Sequence, residues 1–249
     1  MIQMEFKMLV DEALTHCKAY FGDRFLSAYL HGSIEKGDAI AGVSDLDMVI
    51  ISSEVDAEKD TLWIRRLIEE LQENHPEIDE AHIMHMSREQ LEEDRFTRFA
   101  LTYNAALMAG ENIAKTLNDQ DPEGYLPDKR IAKMRLNFAR ACLSEAMSGR
   151  VPSCTGELPE NTYYAARKYA RYFVVIEGAY YLMAINQFTS FAKASVLEGL
   201  RTHAGMFVQT IDLVETVLSD PIAAGIRHDE FISAICSFTN WMFDQIEAS

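Results

Sequence analysis

Apolar positions recur along this chain with two different spacings, which alternate in the first half and give way to one in the second. Residues 4–20 place Phe6, Val10, Ala13, Leu14 and Cys17 on one face, as an amphipathic helix would, and Gly22-Asp23 ends it. Phe25 to Leu30 then reads as a strand, and Asp47-Met48-Val49-Ile50-Ile51 as a second. A helix follows over 57–74, with Leu62, Ile64, Leu67, Ile68 and Leu71 as its apolar face and Asn74-His75-Pro76 as its stop. Glu77 to Met86 alternates loosely and predicts a third strand. Ser87-Arg88-Glu89-Gln90 is a capping-box pattern that opens a helix, and Tyr103 to Met108 predicts a short fourth strand ending at Gly110.

Asn118 to Asp128 has the proline, glycine and aspartate content of a linker. From Lys129 onward every apolar pattern is helical: 129–147, 161–187, 191–217 with a bend near Gly205, and 228–247, with a loop over Ser148 to Glu160. The expected fold class is an α/β (α+β) domain with a small mixed sheet over residues 1–118, followed by an all-α helical bundle over 129–249.

Charge narrows the function. The chain of 249 residues carries a net charge of −16, so a phosphate backbone is repelled and a nucleic-acid substrate is disfavoured. The same field attracts a small polycation. Cys17, Cys142, Cys154 and Cys236 lie far apart with no paired spacing and read as reduced thiols of a cytoplasmic protein. The first residues, broken by Glu5, Lys7 and Asp11, are no signal peptide, and the longest apolar run, Tyr172 to Ile185, is too short to span a bilayer.

The candidate chemistry lies between the first two strands. Residues two apart in a strand point the same way, so Asp45 and Asp47 project together, and two adjacent carboxylates repel unless a cation sits between them. Oxygen-only ligands suit Mg²⁺, which shares carboxylates with phosphate oxygens. Gly32 allows a phosphate close approach to the backbone, and Ser33 adds a hydroxyl and an amide donor.

The order strand, Gly32-Ser33, loop, Asp45-Leu46-Asp47-Met48, strand resembles the signature of the DNA polymerase β superfamily of nucleotidyltransferases over residues 5–113. Leu107 to Ile113 resembles the closing element of that domain. The chain departs from the family at Ile34-Glu35-Lys36, where many members place a basic residue sooner. With a helical second half, the chain looks like the aminoglycoside nucleotidyltransferases. The resemblance implies a metal-dependent adenylyltransferase that uses ATP, or another nucleoside triphosphate, and modifies a hydroxyl of a small cationic acceptor.

A third carboxylate is then expected from the third strand, at Asp79 or Glu80. Alternation puts Asp79, Ala81 and Ile83 on one face and Glu80, His82 and Met84 on the other, which favours Glu80 as the third catalytic and metal-binding residue. Phe188 to Leu200 resembles a lysine-bearing helix start, which implies that Lys193 meets the nucleotide phosphates, with Ser190 as the expected cap. Arg167, Lys168 and Arg171 are further candidate cations. Glu177, in an apolar helix, is either that helix's exposed position or a buried carboxylate in need of a partner. His82 and His85, three apart in a strand, face opposite ways and do not share a zinc. Two other functions fit the same motif: a nucleotidyltransferase-like binding module of a toxin–antitoxin pair, and an enzyme that modifies protein or RNA. The spacing of arginine and histidine that marks a ribonuclease companion is missing from the helical half. A homo-oligomer is compatible with the sequence.

Overall fold

The computed structural model describes residues 2–121, 125–153, 162–222 and 224–248. Parts of both expected loops, 122–124 and 154–160, lie outside them, as do Cys154 and the expected helix start at 161. The chain divides into two compact units, Met1–Tyr125 and Leu126–Ser249.

The first unit is built on a sheet of order β3-β2-β1-β4, with β1 Phe25–His31, β2 Leu46–Ser52, β3 Ala81–Ser87 and β4 Ala106–Gly110. β1 runs antiparallel to β2 and β4, and β2 runs parallel to β3. The β2–β3 crossover carries helix α3, Ala57–Asn74, as a parallel pair requires. Both sheet faces are covered. Met48 and Ile50 of β2 pack with Phe6, Leu9, Val10, Ala13 and Cys17 of α1, Met4–Phe21, and with Ile64, Leu67 and Leu71 of α3. Val49 and Ile51 turn the other way, into a second core with Leu91, Leu101, Ile113 and Leu117. This is why β2 reads as an unbroken apolar run.

Several boundaries differ from the sequence reading, each for a physical reason. Leu62 is exposed: two positions from Ile64 is about 200° around a helix, whereas Asp60 lies on the Ile64 stripe and is buried. The segment after Gly32 is a short helix, α2, Gly32–Lys36, closed by Gly37 in the left-handed conformation. The third strand begins at Ala81, because residues 77–80 spend backbone groups on the loop before β2. The capping box forms as expected: Gln90 N–H donates to Ser87 Oγ (3.1 Å) and Ser87 N–H to Gln90 Oε1 (2.8 Å), opening α4, Arg88–Glu93. The fourth strand starts at Ala106, because helix α5, Arg95–Tyr103, runs through Tyr103. Helix α6, Ile113–Gln120, completes the unit.

The second unit forms helices and turns, with no strand among its described residues. It comprises α7 Lys129–Met147, α8 Thr162–Tyr169, α9 Glu177–Ala184, α10 Lys193–His203, α11 Val208–Ser219 and α12 His228–Ala248. A π-helical segment, Ala170–Ile176, joins α8 to α9, and a 3₁₀ turn, Gly205–Phe207, makes the bend between α10 and α11. Every residue of α9 is buried. α9 and α10 approach closely through glycine: a Cβ on Gly178 would lie 2.7 Å from Leu200, and one on Gly199 2.7 Å from Leu182. Among the described residues no helix is long and apolar enough to cross a membrane. Cys17, Cys142 and Cys236 are free and buried.

Candidate active site

The site forms where β1 ends and β2 begins. Gly32 adopts φ +78°, which turns the chain out of β1, and Ser33 follows nearly buried, its carbonyl accepting from Asp38 N–H (3.1 Å). The loop to β2 is fastened along its length. Gln3 exchanges two hydrogen bonds with the Ala39 backbone (3.0 and 3.1 Å), and Gly42 N–H donates to Glu77 O (2.8 Å). Asp79 N–H then donates to Ser44 O (3.1 Å) and Leu46 N–H to Glu80 O (2.9 Å). These two bonds start the pairing of the two segments before β3 begins, and they set Asp45 beside Glu80.

Ligand atoms of Asp45, Glu80 and His82 lie within 4.8 Å of one another. His82 Nε2 is 3.0 Å from Glu80 Oε2. Glu80 is half-buried, whereas Asp79 is exposed and outside the cluster. Asp47 pairs with His31 across β1–β2 and sits on Gly32: a Cβ there would lie 2.2 Å from Asp47 Oδ2. The structure thus brings Glu80 to Asp45, and it lays Asp47 on the bare glycine next to them. Two carboxylates and an imidazole converging at a half-exposed strand end fit a divalent cation in donor type and spacing.

Lys36, the first base after Gly32-Ser33, is paired with Glu35 and reaches the Asn104 carbonyl (3.4 Å). His85 points away from His82, toward α1 and α3. Its Nε2 is 2.7 Å from Ser52 Oγ and its Nδ1 3.7 Å from Asp60 Oδ2, the order of residues in a hydrolase triad. The hydrogen bonding rules that role out. Ser52 is fully buried and donates its proton to Glu54 O (2.6 Å), and His85 and Asp60 are too far apart for a hydrogen bond. Burial lowers the His85 pKa and so disfavours the charged ring. Asp60 instead serves Arg24 (3.0 Å twice), Tyr20 (2.9 Å) and the Asp56 N–H (2.8 Å), a network that ties α1, the turn before β1 and α3 together.

In the helical unit, Lys193 is the first residue of α10 and is half-buried. Its helix is not capped by Ser190. The N-cap position is Ala192, and Ser190 Oγ accepts the Ala192 N–H (3.2 Å). Arg167 is buried and donates to Leu218 O (3.3 Å). Glu177 is not an exposed position: it is buried against Arg135, whose Nε donates to Oε1 (3.2 Å) and whose other nitrogen donates to the Tyr172 hydroxyl. Burial pushes the Glu177 carboxyl up to about 7 against the pull of Arg135. Burial also opposes the Arg135 charge, yet Glu177, Tyr172 and Tyr180 outweigh it and raise the guanidinium pKa. Both values rise: burial disfavours the charge of the carboxylate, the more deeply buried partner at 2% exposed against 14%, whereas the neighbours of the guanidinium favour its charge. Sequence reasoning missed Arg135, which lies 42 residues from Glu177 with no local spacing to betray it. It also missed His82 as a neighbour of the carboxylates, although the alternation had placed it on the Glu80 face.

Residues 10–101 match the family model described as nucleotidyltransferase domain. No curated protein sequence matches the chain. Among solved structures, the chain is similar to spectinomycin adenyltransferase AAD(9) from Enterococcus faecialis, determined with ATP and spectinomycin. The TM-score is 0.55 at 9% identity, over 95% of this chain and 98% of that one. The apolar strand, Gly32-Ser33, Asp45-Leu46-Asp47 and the four-stranded mixed sheet all fall within the first unit, the unit that contains the stretch matching the nucleotidyltransferase domain.

Proposed function

We propose that the protein moves AMP from ATP to a hydroxyl of a small cationic acceptor of the aminoglycoside type. The observation that carries this reading is the convergence of Asp45 and Glu80 beside Gly32 and Asp47, within a nucleotidyltransferase domain. The fold shared with an enzyme whose structure holds ATP and spectinomycin supports the acceptor class, and so does the net charge of −16, which favours a cation over a nucleic acid.

In this reading Asp45, Asp47 and Glu80 hold Mg²⁺ or a similar divalent ion. Bound there, such an ion neutralises phosphate charge and polarises the acceptor hydroxyl. Glu80, half-exposed at the strand end, takes the proton of that hydroxyl as its oxygen bonds to the α-phosphorus. The α–β phosphoanhydride bond breaks, pyrophosphate leaves, and the monophosphate stays on the acceptor. Gly32, bare of a side chain, and Ser33 lie against the triphosphate, and Lys193 is proposed, from the resemblance of its helix start, as a cation for nucleotide phosphate. The ATP-dependent reaction and the cytoplasm as its place belong to the same proposal.

The test is pyrophosphate release from ATP with a divalent cation and a panel of amino sugars and aminocyclitols. Release that needs both acceptor and cation, and that falls at least about a hundredfold in Asp45→Asn, is expected. Release that persists in Asp45→Asn, or is absent with every acceptor, would overturn the proposal.

A further inference from the structure

We propose that His82 is a ligand of the cation, so that the site combines an imidazole nitrogen with two carboxylates and selects first-row transition ions over Mg²⁺. The inference rests on the proposed function only in placing a cation between Asp45 and Glu80.

Three observations converge on it. The first is the span: nitrogen and oxygen atoms of Asp45, Glu80 and His82 fall within 4.8 Å of one another. An ion with bonds of about 2.1 Å holds its ligands roughly 3–4 Å apart, so small side-chain rotations close the set. The second is the backbone. Glu80 and His82 are two residues apart and share a face, and the β2–β3 register, Leu46 with Ala81 and Asp47 with His82, fixes both relative to Asp45. The third is the ring itself. His82 is 56% exposed, yet its Nε2 turns back to Glu80 Oε2 at 3.0 Å instead of toward solvent. The nitrogen therefore faces the space the carboxylates enclose.

The choice of ion follows from donor chemistry. Mg²⁺ is a hard ion that takes oxygen and keeps its waters, and an imidazole adds little to its binding. Mn²⁺ and the later divalent ions accept nitrogen and oxygen together, with affinity rising along the first row to copper. An Asp, Glu, His set thus shifts preference away from Mg²⁺, where a set of carboxylates alone would not.

Mn²⁺ is the probe, because it is paramagnetic and binds the whole protein without turnover. Pulsed electron paramagnetic resonance of the Mn²⁺-loaded protein is expected to show coupling to an imidazole ¹⁴N, and His82→Gln to abolish it. Titration of free Mn²⁺ should show at least about tenfold weaker binding in His82→Gln, with Mg²⁺ binding changed far less. Because His82 is exposed, the variant should fold, and circular dichroism checks that. If Asp45→Asn abolishes Mn²⁺ binding while His82→Gln keeps full affinity and no nitrogen coupling is seen, the cation site stands and His82 only hydrogen-bonds Glu80. That result overturns this inference alone. If Asp45→Asn leaves Mn²⁺ binding intact, the site underlying the proposed function falls, and His82 falls with it.

Discussion

Replacing Gly32 with alanine probes the contact between the glycine turn and Asp47. At φ +78° an L-residue costs about 1–2 kcal/mol, and the new Cβ would sit 2.2 Å from Asp47 Oδ2. The obstacle is the tip of a side chain, so Asp47 can rotate away and the fold survives. The carboxylate cannot keep its place. A displacement of about 1 Å in a catalytic group costs roughly a hundredfold in rate, so Gly32→Ala is expected to lose about that much turnover. Gly149→Ala is the control: its φ is +73°, and nothing lies within 4 Å of its added Cβ. Urea unfolding should give both variants similar losses, about 1–2 kcal/mol, while pyrophosphate release separates them sharply. Equal turnover in the two variants, or a much larger stability loss in Gly32→Ala, would refute the steric argument.

Other expectations follow from the buried networks and the helical unit. Asp60→Ala leaves Arg24 and Tyr20 without their shared carboxylate. Arg24 still reaches solvent, so the cost should lie near the low end of the usual 3–5 kcal/mol, about 3 kcal/mol by urea unfolding, and a loss under about 1 kcal/mol would show that the network is idle. Buried His75 bonds Glu77 (2.8 Å) and Glu12 (3.1 Å); burial opposes its charge, but the two carboxylates prevail and raise its pKa above 6.5. Its contribution is therefore full below pH 6.5 and fades as pH rises through the folded-state value. The stability difference between wild type and His75→Gln should shrink from pH 6 toward pH 9, and a difference that grows would reverse the sign. Lys193→Ala should weaken nucleotide binding by about ten- to a hundredfold in calorimetric titration, as expected for a charge-assisted phosphate contact of roughly 1.5–3 kcal/mol. Unchanged affinity would return Lys193 to the protein surface.

What could be read from the sequence was set by period and by local contact. β2 announces itself because Met48 through Ile51 feed two cores at once. Glu80 could be separated from Asp79 because the pleat allows only one of two neighbours to share a face with His82. The capping box at Ser87 closes within four residues and needs nothing from elsewhere. Features fixed by distant partners stayed hidden. Arg135 and Glu177 meet across 42 residues, and the residues that hold the loop before Asp45, Gln3 and Glu77, carry no local signal of that task. The short α2 was read as loop, since five residues are too few for a period and its ends are set by the backbone of Gly32 and Gly37. The acceptor is the least legible part, because the sequence offers only its charge complement.

The most direct test of the account is transfer of label from ATP carrying ³²P at the α-phosphate to an aminocyclitol or aminoglycoside acceptor, run in parallel for wild type, Asp45→Asn, Asp47→Asn, Glu80→Gln and Asp79→Asn. Wild type and Asp79→Asn should label the acceptor at comparable rates, and the other three should fall at least about a hundredfold while circular dichroism shows them folded. Full labelling by Asp45→Asn or Asp47→Asn, or a loss in Asp79→Asn that exceeds the loss in Glu80→Gln, would contradict the assignment of the site.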